Sequence, residues 1–218
     1  MTANKPIMIA ILILALIVLV IVGFATGGPS PEDLYKEAYV QVVEQYHAEN
    51  DEYKFDLVDT DADGVPELVA DLPGYQMSLF TYEDGAVRCL MDHWPYGAMG
   101  NAGYSYVPEE GIYCNTNSDM AGAIRYTYFM SKHEAGELET DYWVKTINFN
   151  DSDGDGMPSE EELELSADFE GVSEYYNETG TERSESELKE TIDGYFGCDW
   201  EELVGILGYE SIMRKLNS

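Results

Sequence analysis

The hydrophobic pattern of the chain begins with an unbroken apolar run from Ile7 to Phe24, which contains a single glycine. A run of this length is just sufficient to cross a bilayer and is long for a cleavable signal peptide. The run therefore predicts three N-terminal segments: a cytoplasmic segment at residues 1–6, a signal-anchor transmembrane helix at residues 7–24 and a linker at residues 25–30.

The residues on either side of this run predict its orientation. Lys5 precedes it, and the acidic pair Glu32-Asp33 follows it. Positive charge on the inner side predicts that the rest of the chain lies on the extracytoplasmic side of the cell membrane, as in a single-pass membrane protein. The small residues of Gly23-Phe24-Ala25 leave cleavage, and hence secretion, open as the alternative.

Helical periodicity follows the linker. Ser30 has the character of an N-cap and Pro31 that of a first helical residue. Apolar residues then recur at four-residue spacing, beginning with Leu34 and Ala38 and ending near Tyr46. The spacing predicts an amphipathic helix that runs to about Glu49.

Between Tyr53 and Phe149 the hydrophobic period shortens to the alternation of strands separated by turns. Glu83-Asp84-Gly85, for example, separates two apolar runs in the manner of a β-hairpin. Short links of this kind imply an antiparallel meander of about seven strands. One sheet, flat or partly rolled, would then bury a core against the amphipathic helix.

The chain after Phe149 returns to a helical pattern. Two segments, which begin at Ser184 and Asp199, have the spacing of capping boxes. They predict short helices over about 185–196 and 200–207, and Gly208 would end the second of these before a last short helix over 209–216. The expected fold class is therefore α+β, with an N-terminal transmembrane helix, an amphipathic helix, an antiparallel β meander and short C-terminal helices. Its two extracytoplasmic parts would be a main domain at residues 31–168 and a helical C-terminal segment at residues 169–218.

The composition narrows the classes of partner. The chain has 43 Asp and Glu against 11 Lys and Arg, a formal net charge of −32. Such a chain repels nucleic acid, so no nucleic-acid partner is expected. The cysteines Cys89, Cys114 and Cys198 allow at most one disulfide, with Cys89 and Cys114 the closer pair in sequence.

The sequence carries no recognisable catalytic motif. His47, His93 and His133 are widely spaced, and the chain has no G-x-S-x-G, P-loop or dinucleotide fingerprint. We therefore expect that the protein is not an enzyme. The many carboxylates still leave glycoside hydrolysis open. The many aromatic residues leave open a carbohydrate or protein ligand that stacks on them.

Two segments carry a specific chemical signal, because each alternates three aspartates with other residues and ends on glycine. Side chains at positions one, three and five of such a run can turn inward together, and the glycine allows the carbonyl of residue seven to join them. This oxygen cage suits a hard cation, and we predict two bound Ca²⁺ ions. The two runs, each written with the residue seven that follows its glycine, are Asp59-Thr-Asp61-Ala-Asp63-Gly64-Val65 and Asp151-Ser-Asp153-Gly-Asp155-Gly156-Met157.

Both segments resemble the Asp-rich calcium loops of EF-hands, dockerins, thrombospondin type 3 repeats and FG-GAP/VCBS repeats. The likeness covers about a dozen residues in each case. In the second segment it implies six metal ligands: the side chains of Asp151, Asp153 and Asp155, the carbonyl of Met157, Ser159 through a water molecule, and Glu162 as the bidentate ligand at position twelve.

The first segment departs from the EF-hand pattern, because Ala70 occupies position twelve. Its likeness to FG-GAP-type loops between two strands implies that Glu67, at position nine, is a direct ligand. The implied set is then Asp59, Asp61, Asp63, the carbonyl of Val65, and Glu67. Its missing acid at position twelve predicts that it binds calcium less tightly than the second segment.

A feature common to both segments argues against a paired EF-hand domain. Pro66 and Pro158, at position eight, lack the N–H that joins two such loops. We therefore expect two separate structural calcium sites, each of which stabilises its own loop.

The whole pattern predicts an exported, membrane-anchored calcium-binding protein that acts as a non-enzymatic surface binding module. Its order of span, amphipathic helix and Asp-rich strand pair resembles exported proteins of Gram-positive gut bacteria. Two alternatives remain open: a secreted polysaccharide hydrolase or its accessory domain, and a calcium-responsive regulator.

Overall fold

The computed structural model describes residues 31–98, 100–133, 136–165, 171–178 and 183–218. The predicted cytoplasmic segment, membrane anchor and linker at residues 1–30 lie outside these ranges. Within them, no helix is long and apolar enough to cross a membrane.

The first element is helix α1 (Pro31–Glu49), which confirms the predicted amphipathic helix. Its buried face is formed by Tyr35, Tyr39, Val43 and Tyr46, which recur at three- and four-residue spacing. Tyrosine is tolerated at these buried positions because its hydroxyl can find a hydrogen-bond acceptor. The Tyr46 hydroxyl, for instance, donates to Ser78 Oγ at 2.9 Å.

Helix α1 packs on a four-stranded antiparallel sheet. Its strands are β1 (Lys54–Val58), β2 (Glu67–Leu72), β3 (Gln76–Glu83) and β4 (Ala86–Pro95), and they lie in chain order. Phe55, Leu68 and Ala70 are fully buried in the cluster that contains the α1 face. Val69 and Leu79 are fully buried in a different cluster. The sheet is therefore covered on both faces.

The second face of this sheet packs on a six-stranded antiparallel sheet. Val69 and Leu79 share one buried cluster with Tyr104, Tyr113 and Met130 of the second sheet. The second sheet has the order β10-β5-β6-β7-β8-β9, and its strands are β5 (Asn101–Val107), β6 (Ile112–Asp119), β7 (Ile124–Lys132), β8 (Leu138–Ile147), β9 (Val172–Asn177) and β10 (Glu201–Leu203).

Three shorter α-helices and one 3-10 helix (Met120–Gly122) complete the described structure. The α-helices are α2 (Glu160–Leu165), α3 (Glu185–Phe196) and α4 (Tyr209–Leu216). Ile192 of α3 packs in a cluster with Phe129 and Val144 of the second sheet. Ile212 of α4 joins the cluster beneath α1. The layers therefore run from α1 and α4, through the two sheets, to α3.

The α+β class is confirmed, but the single meander of about seven strands is not what forms. The described residues form ten strands in two sheets. The chain changes sheets between β4 and β5, where Gly97 and Gly100 both have left-handed φ values. A Cβ at Gly100 would lie 1.9 Å from the carbonyl oxygen of Ser118. The close approach of these two backbone segments lets the chain pass from the first sheet to the second. Hydrophobic periodicity alone does not reveal this change of sheet.

The helix predicted over residues 200–207 is wrong. This segment instead contains strand β10, which pairs with β5 through Leu203 and Tyr104. The edge of β5 offers unpaired backbone groups, and satisfying them outweighs the local capping signal at Asp199. The helices predicted at 185–196 and 209–216 are confirmed.

Candidate metal centre

The first Asp-rich loop connects β1 to β2 and brings three of its predicted ligands together. Carboxylate oxygens of Asp59, Asp61 and Glu67 all lie within 4.8 Å of one another. Three carboxylates at this separation repel one another unless a cation lies among them. Of the other predicted ligands, Asp63 is exposed and is not part of this group, and Val65 would contribute only its backbone carbonyl.

The loop backbone is folded by its own aspartates. Asp59 Oδ1 accepts a hydrogen bond from the N–H of Ala62 at 2.9 Å, and Asp63 Oδ1 accepts one from Val65 at 2.7 Å. Such bonds to nearby N–H groups form tight turns. Gly64 has φ of +83°, which is the left-handed conformation that the glycine at position six is expected to supply.

Glu67 is the most unusual residue of this loop, because its side chain is only 1% exposed. Its Oε2 accepts two hydrogen bonds from Thr60, from the N–H at 2.9 Å and from the hydroxyl at 2.6 Å. Its Oε1 is buried and has no hydrogen-bond partner among the described residues. A buried carboxylate oxygen in this state is strongly disfavoured unless a cation or a proton joins it.

Burial is the main cause that raises the pKa of Glu67, and the hydrogen bonds from Thr60 oppose it. The side chain of Thr81 is a further, smaller cause that lowers that pKa, although its hydroxyl has no hydrogen-bond partner among the described residues. Burial is also the first cause of the raised pKa of Asp61, followed by its neighbour Asp63. Both groups therefore favour neutralisation by a proton or by a bound cation.

The loop is anchored to both of its neighbouring layers. The Thr60 hydroxyl contacts the hydroxyl of Tyr113 at 2.6 Å, and the N–H of Gly111 donates to the Thr60 carbonyl at 2.7 Å. Both of these partners belong to the β5–β6 hairpin of the second sheet. On the other side, the Tyr39 hydroxyl of α1 donates to the carbonyl of Pro66 at 3.0 Å. The loop thus joins α1 to the second sheet.

The second Asp-rich loop lies between the end of β8 and helix α2. Its three aspartates, Asp151, Asp153 and Asp155, also bring carboxylate oxygens within 4.8 Å of one another. Asp151 accepts hydrogen bonds from the N–H groups of Gly154 at 2.9 Å and of Gly156 at 3.0 Å. The loop is therefore folded in the same way as the first, but Asp153 and Asp155 are exposed.

Glu162, the predicted bidentate ligand, already uses both of its carboxylate oxygens. Oε1 accepts from the N–H and hydroxyl of Ser152 at 2.7 and 2.9 Å, and Oε2 accepts from the N–H and hydroxyl of Ser159 at 3.0 and 2.8 Å. The backbone N–H of Ser159, followed by that of Ser152, is the main cause that lowers the pKa of Glu162 to about 2. Ser159 and Glu162 thus act as a capping box for α2.

The two loops share one arrangement of hydrogen bonds. Residue two of each loop, Thr60 or Ser152, donates both its N–H and its hydroxyl to one oxygen of the closing glutamate. The closing glutamate is Glu67 in the first loop and Glu162 in the second. Only in the first loop does this leave the other carboxylate oxygen without a hydrogen bond. The first loop therefore offers a cation a buried glutamate oxygen that the second loop does not offer.

Other residues with possible chemistry do not converge in the same way. In the described part of the chain, the two acidic groups are the only sets of three or more His, Cys, Asp and Glu whose ligand atoms lie within 4.8 Å of one another. Cys89, Cys114 and Cys198 are all free thiols. The disulfide that the sequence allows is therefore absent among them.

An aromatic group on the second sheet bears on the possible carbohydrate ligand. Trp143 of β8 stacks on Tyr176 of β9, with ring centroids 3.7 Å apart and planes 5° apart. Tyr128 of β7 lies on its other flank at 6.1 Å. Because these rings cover one another's faces, they act first as a cross-strand packing ladder.

The chain has no significant match among protein-family models, curated proteins or solved structures. Its function must therefore be argued from the site itself.

The sequence indicated the candidate ligands but not the residues that support the two loops through hydrogen bonds and ion pairs. Thr60 and Ser152 occupy the same loop position, and that shared hydroxyl was a visible signal. Two further residues come from distant parts of the chain: Tyr113, which contacts the Thr60 hydroxyl, and Lys132, whose Nζ lies 3.9 Å from Asp61 Oδ2. No local sequence pattern connects them with the first loop.

Proposed function

We propose that this protein is an exported, membrane-anchored binding module whose fold is stabilised by Ca²⁺, with the first Asp-rich loop as its principal cation site. The second loop binds a second, weaker ion. The calcium serves structure, and the chain is not an enzyme. The membrane anchor is the apolar run at residues 7–24.

The observation that supports this proposal best is the state of Glu67. Its carboxylate is buried, one of its oxygens lacks a hydrogen bond, and Asp59 and Asp61 lie within 4.8 Å of it. Without a cation, this arrangement combines a desolvated charge with like-charge repulsion, both of which destabilise the fold. A bound divalent cation removes both penalties and accepts the unpartnered oxygen as a ligand.

The donor set suits calcium among the common divalent ions. All candidate donors are oxygens, and they come from a loop with short Asx turns rather than from a rigid octahedral frame. Ca²⁺ accepts six to eight oxygen ligands in flexible geometry, whereas Mg²⁺ requires a near-ideal octahedron and retains water. Zinc sites use histidine and cysteine, which are absent from both acidic groups.

An extracytoplasmic location fits such a site energetically. Unpaired extracellular loops typically bind calcium with Kd values of about 10⁻⁴ to 10⁻³ M. At millimolar calcium, each site would add about 1 kcal/mol to the free energy of unfolding. Two sites would then supply a useful share of a net stability of about 5–15 kcal/mol.

The test is a titration of the full-length chain, in detergent micelles, with Ca²⁺ by calorimetry and with Tb³⁺ by luminescence. Tb³⁺ replaces Ca²⁺ and is excited through nearby tyrosine, and Tyr113 contacts Thr60 within the first loop. Wild-type protein should bind two ions. The substitution D61A should abolish the tighter event, and D153A should abolish the weaker one.

The control is E190Q, which removes one negative charge from the exposed surface of α3. It should leave both binding events unchanged. If D61A and E190Q bind cations equally well, the first loop is not a site and the proposal fails. Loss of the tighter event in D153A instead of D61A would reverse the assigned order of the two loops.

A further inference from the structure

One basic residue reaches the first loop from the second sheet. Lys132 is the last residue of β7, and its Nζ lies 3.9 Å from Asp61 Oδ2. The same Nζ lies 3.4 Å from Glu83 Oε1, at the end of β3. The ammonium therefore contacts one member of the acidic group and one acid outside it.

The second loop offers a direct contrast. Among the described residues, no basic side chain forms an ion pair with Asp151, Asp153 or Asp155. A lysine in this position is thus a feature of the first loop and not of the second.

The acidic group beside Lys132 has independent marks of a cation site. The unpartnered oxygen of Glu67 is buried, and the group that it belongs to includes Asp61. An ammonium 3.9 Å from Asp61 neutralises this group only in part, because it forms an ion pair with one of the three carboxylates and with neither Asp59 nor Glu67. The lysine therefore shares Asp61 with a bound cation and does not replace that cation.

We propose that Lys132 sets the cation affinity of the first loop, acting as a tethered competitor for Asp61 that withdraws towards Glu83 when a divalent cation binds. This inference rests on the proposed cation site. Its consequence is that the first loop fills only near millimolar calcium, although its buried glutamate alone would favour tighter binding. Lys132 is thus a residue that determines affinity, and it is not a ligand.

The charge of Lys132 sets the size of the expected effect. Even with the screening of bulk water, one unit charge about 6 Å from a divalent ion changes the ion's affinity by about tenfold. The repulsion grows in proportion to the charge of the ion. Removal of the ammonium should therefore strengthen Tb³⁺ binding by about thirtyfold, which is 1.5 times the logarithmic change for Ca²⁺.

The experiment compares K132M with K145M in the full-length chain, with D153A present in both to silence the second loop. Lys145 pairs with Glu174 on the second sheet, so K145M removes the same charge away from the site. A third variant, K132R, keeps the charge at position 132. Tb³⁺ binding is measured by tyrosine-sensitised luminescence, and Ca²⁺ binding by displacement of Tb³⁺.

We expect K132M to bind Ca²⁺ about tenfold and Tb³⁺ about thirtyfold more tightly than its D153A parent. K145M and K132R should remain within about twofold of the parent, and the K132M effect should shrink in high salt. Equal affinities for K132M and K145M would overturn the inference while leaving the cation site intact. If the D153A parent binds no ion that D61A removes, the cation site itself fails, and the inference fails with it.

Discussion

At the residue scale, a single buried carboxylate distinguishes the proposed cation site. Glu67 is 1% exposed and has one oxygen without a hydrogen bond. The substitution E67Q keeps an oxygen that can accept from Thr60 but removes the buried charge. In calcium-free buffer we expect E67Q to be more stable than wild type by about 1 kcal/mol, since an uncompensated buried charge is lost.

In buffer that contains calcium, wild type should be more stable than E67Q. Glutamine is a weaker calcium ligand than glutamate, so only the wild-type protein gains the full binding energy. Urea denaturation with EGTA or with calcium measures both effects. The matched variant is E162Q, which removes the closing glutamate of the second loop. It should lower stability in both buffers, because the carboxylate of Glu162 holds both Ser152 and Ser159. A loss of stability in E67Q without calcium would contradict this prediction.

Much of the site could be predicted at this scale. The repeated aspartates indicated Asp59 and Asp61 as candidate ligands. Because Ala70 leaves position twelve without an acid, Glu67 at position nine became the remaining candidate. What the loop pattern could not provide was the burial of Glu67, which depends on layers that lie on either side of the loop. It also could not identify Lys132, which lies about 70 residues away in sequence and meets Asp61 only through sheet packing.

At the scale of elements, another buried carboxylate joins three parts of the fold. Asp71, in β2, is 2% exposed. Its Oδ1 accepts from the Tyr96 hydroxyl at 2.5 Å, just after β4, and its Oδ2 accepts from the N–H of Gly205 at 3.1 Å, just after β10. Burial raises the pKa of Asp71, and these two hydrogen bonds oppose that rise.

This arrangement predicts a pH dependence of stability. Because the pKa of Asp71 is raised in the folded state, the folded protein binds the proton more tightly than the unfolded chain does. Its contribution to the free energy of unfolding therefore falls as the pH rises from about 3.8 through the folded pKa. The variant D71N, which does not titrate, should lack this contribution.

The measurement is urea denaturation of wild type and D71N at several pH values between 4 and 7. The difference in free energy of unfolding between them should decrease with rising pH over the lower part of this range. Y96F removes one donor to Asp71, so it should raise the folded pKa further and extend the decrease to higher pH. A constant difference across the range would show that Asp71 has the same pKa in both states.

The elements themselves were predictable where their signals are local. The cap at Ser184 and the apolar stripe of α1 predicted helices that form as expected. Strand β10 was not predictable in this way, because its three residues become a strand only beside the open edge of β5. The split into two sheets depends in the same way on the glycine crossing between β4 and β5.

At the scale of the whole molecule, charge is the dominant feature. A net charge of −32 destabilises the compact state through self-repulsion, so any salt should stabilise the fold by screening. Stabilisation by bound calcium must therefore be distinguished from stabilisation by charge screening. The structure supplies that distinction, because only the two Asp-rich loops group three carboxylates among the described residues.

At equal ionic strength, about 5 mM CaCl₂ should raise the unfolding temperature of the full-length chain by about 3 to 8 °C more than NaCl does. MgCl₂ should give only a small excess over NaCl, because Mg²⁺ retains its water in such loops. The double variant D61A/D153A should keep the response to NaCl and lose the calcium excess, since screening acts on all charges and binding acts only at the loops. Equal shifts with CaCl₂ and MgCl₂ would mean that calcium acts on this acidic surface only as a counterion.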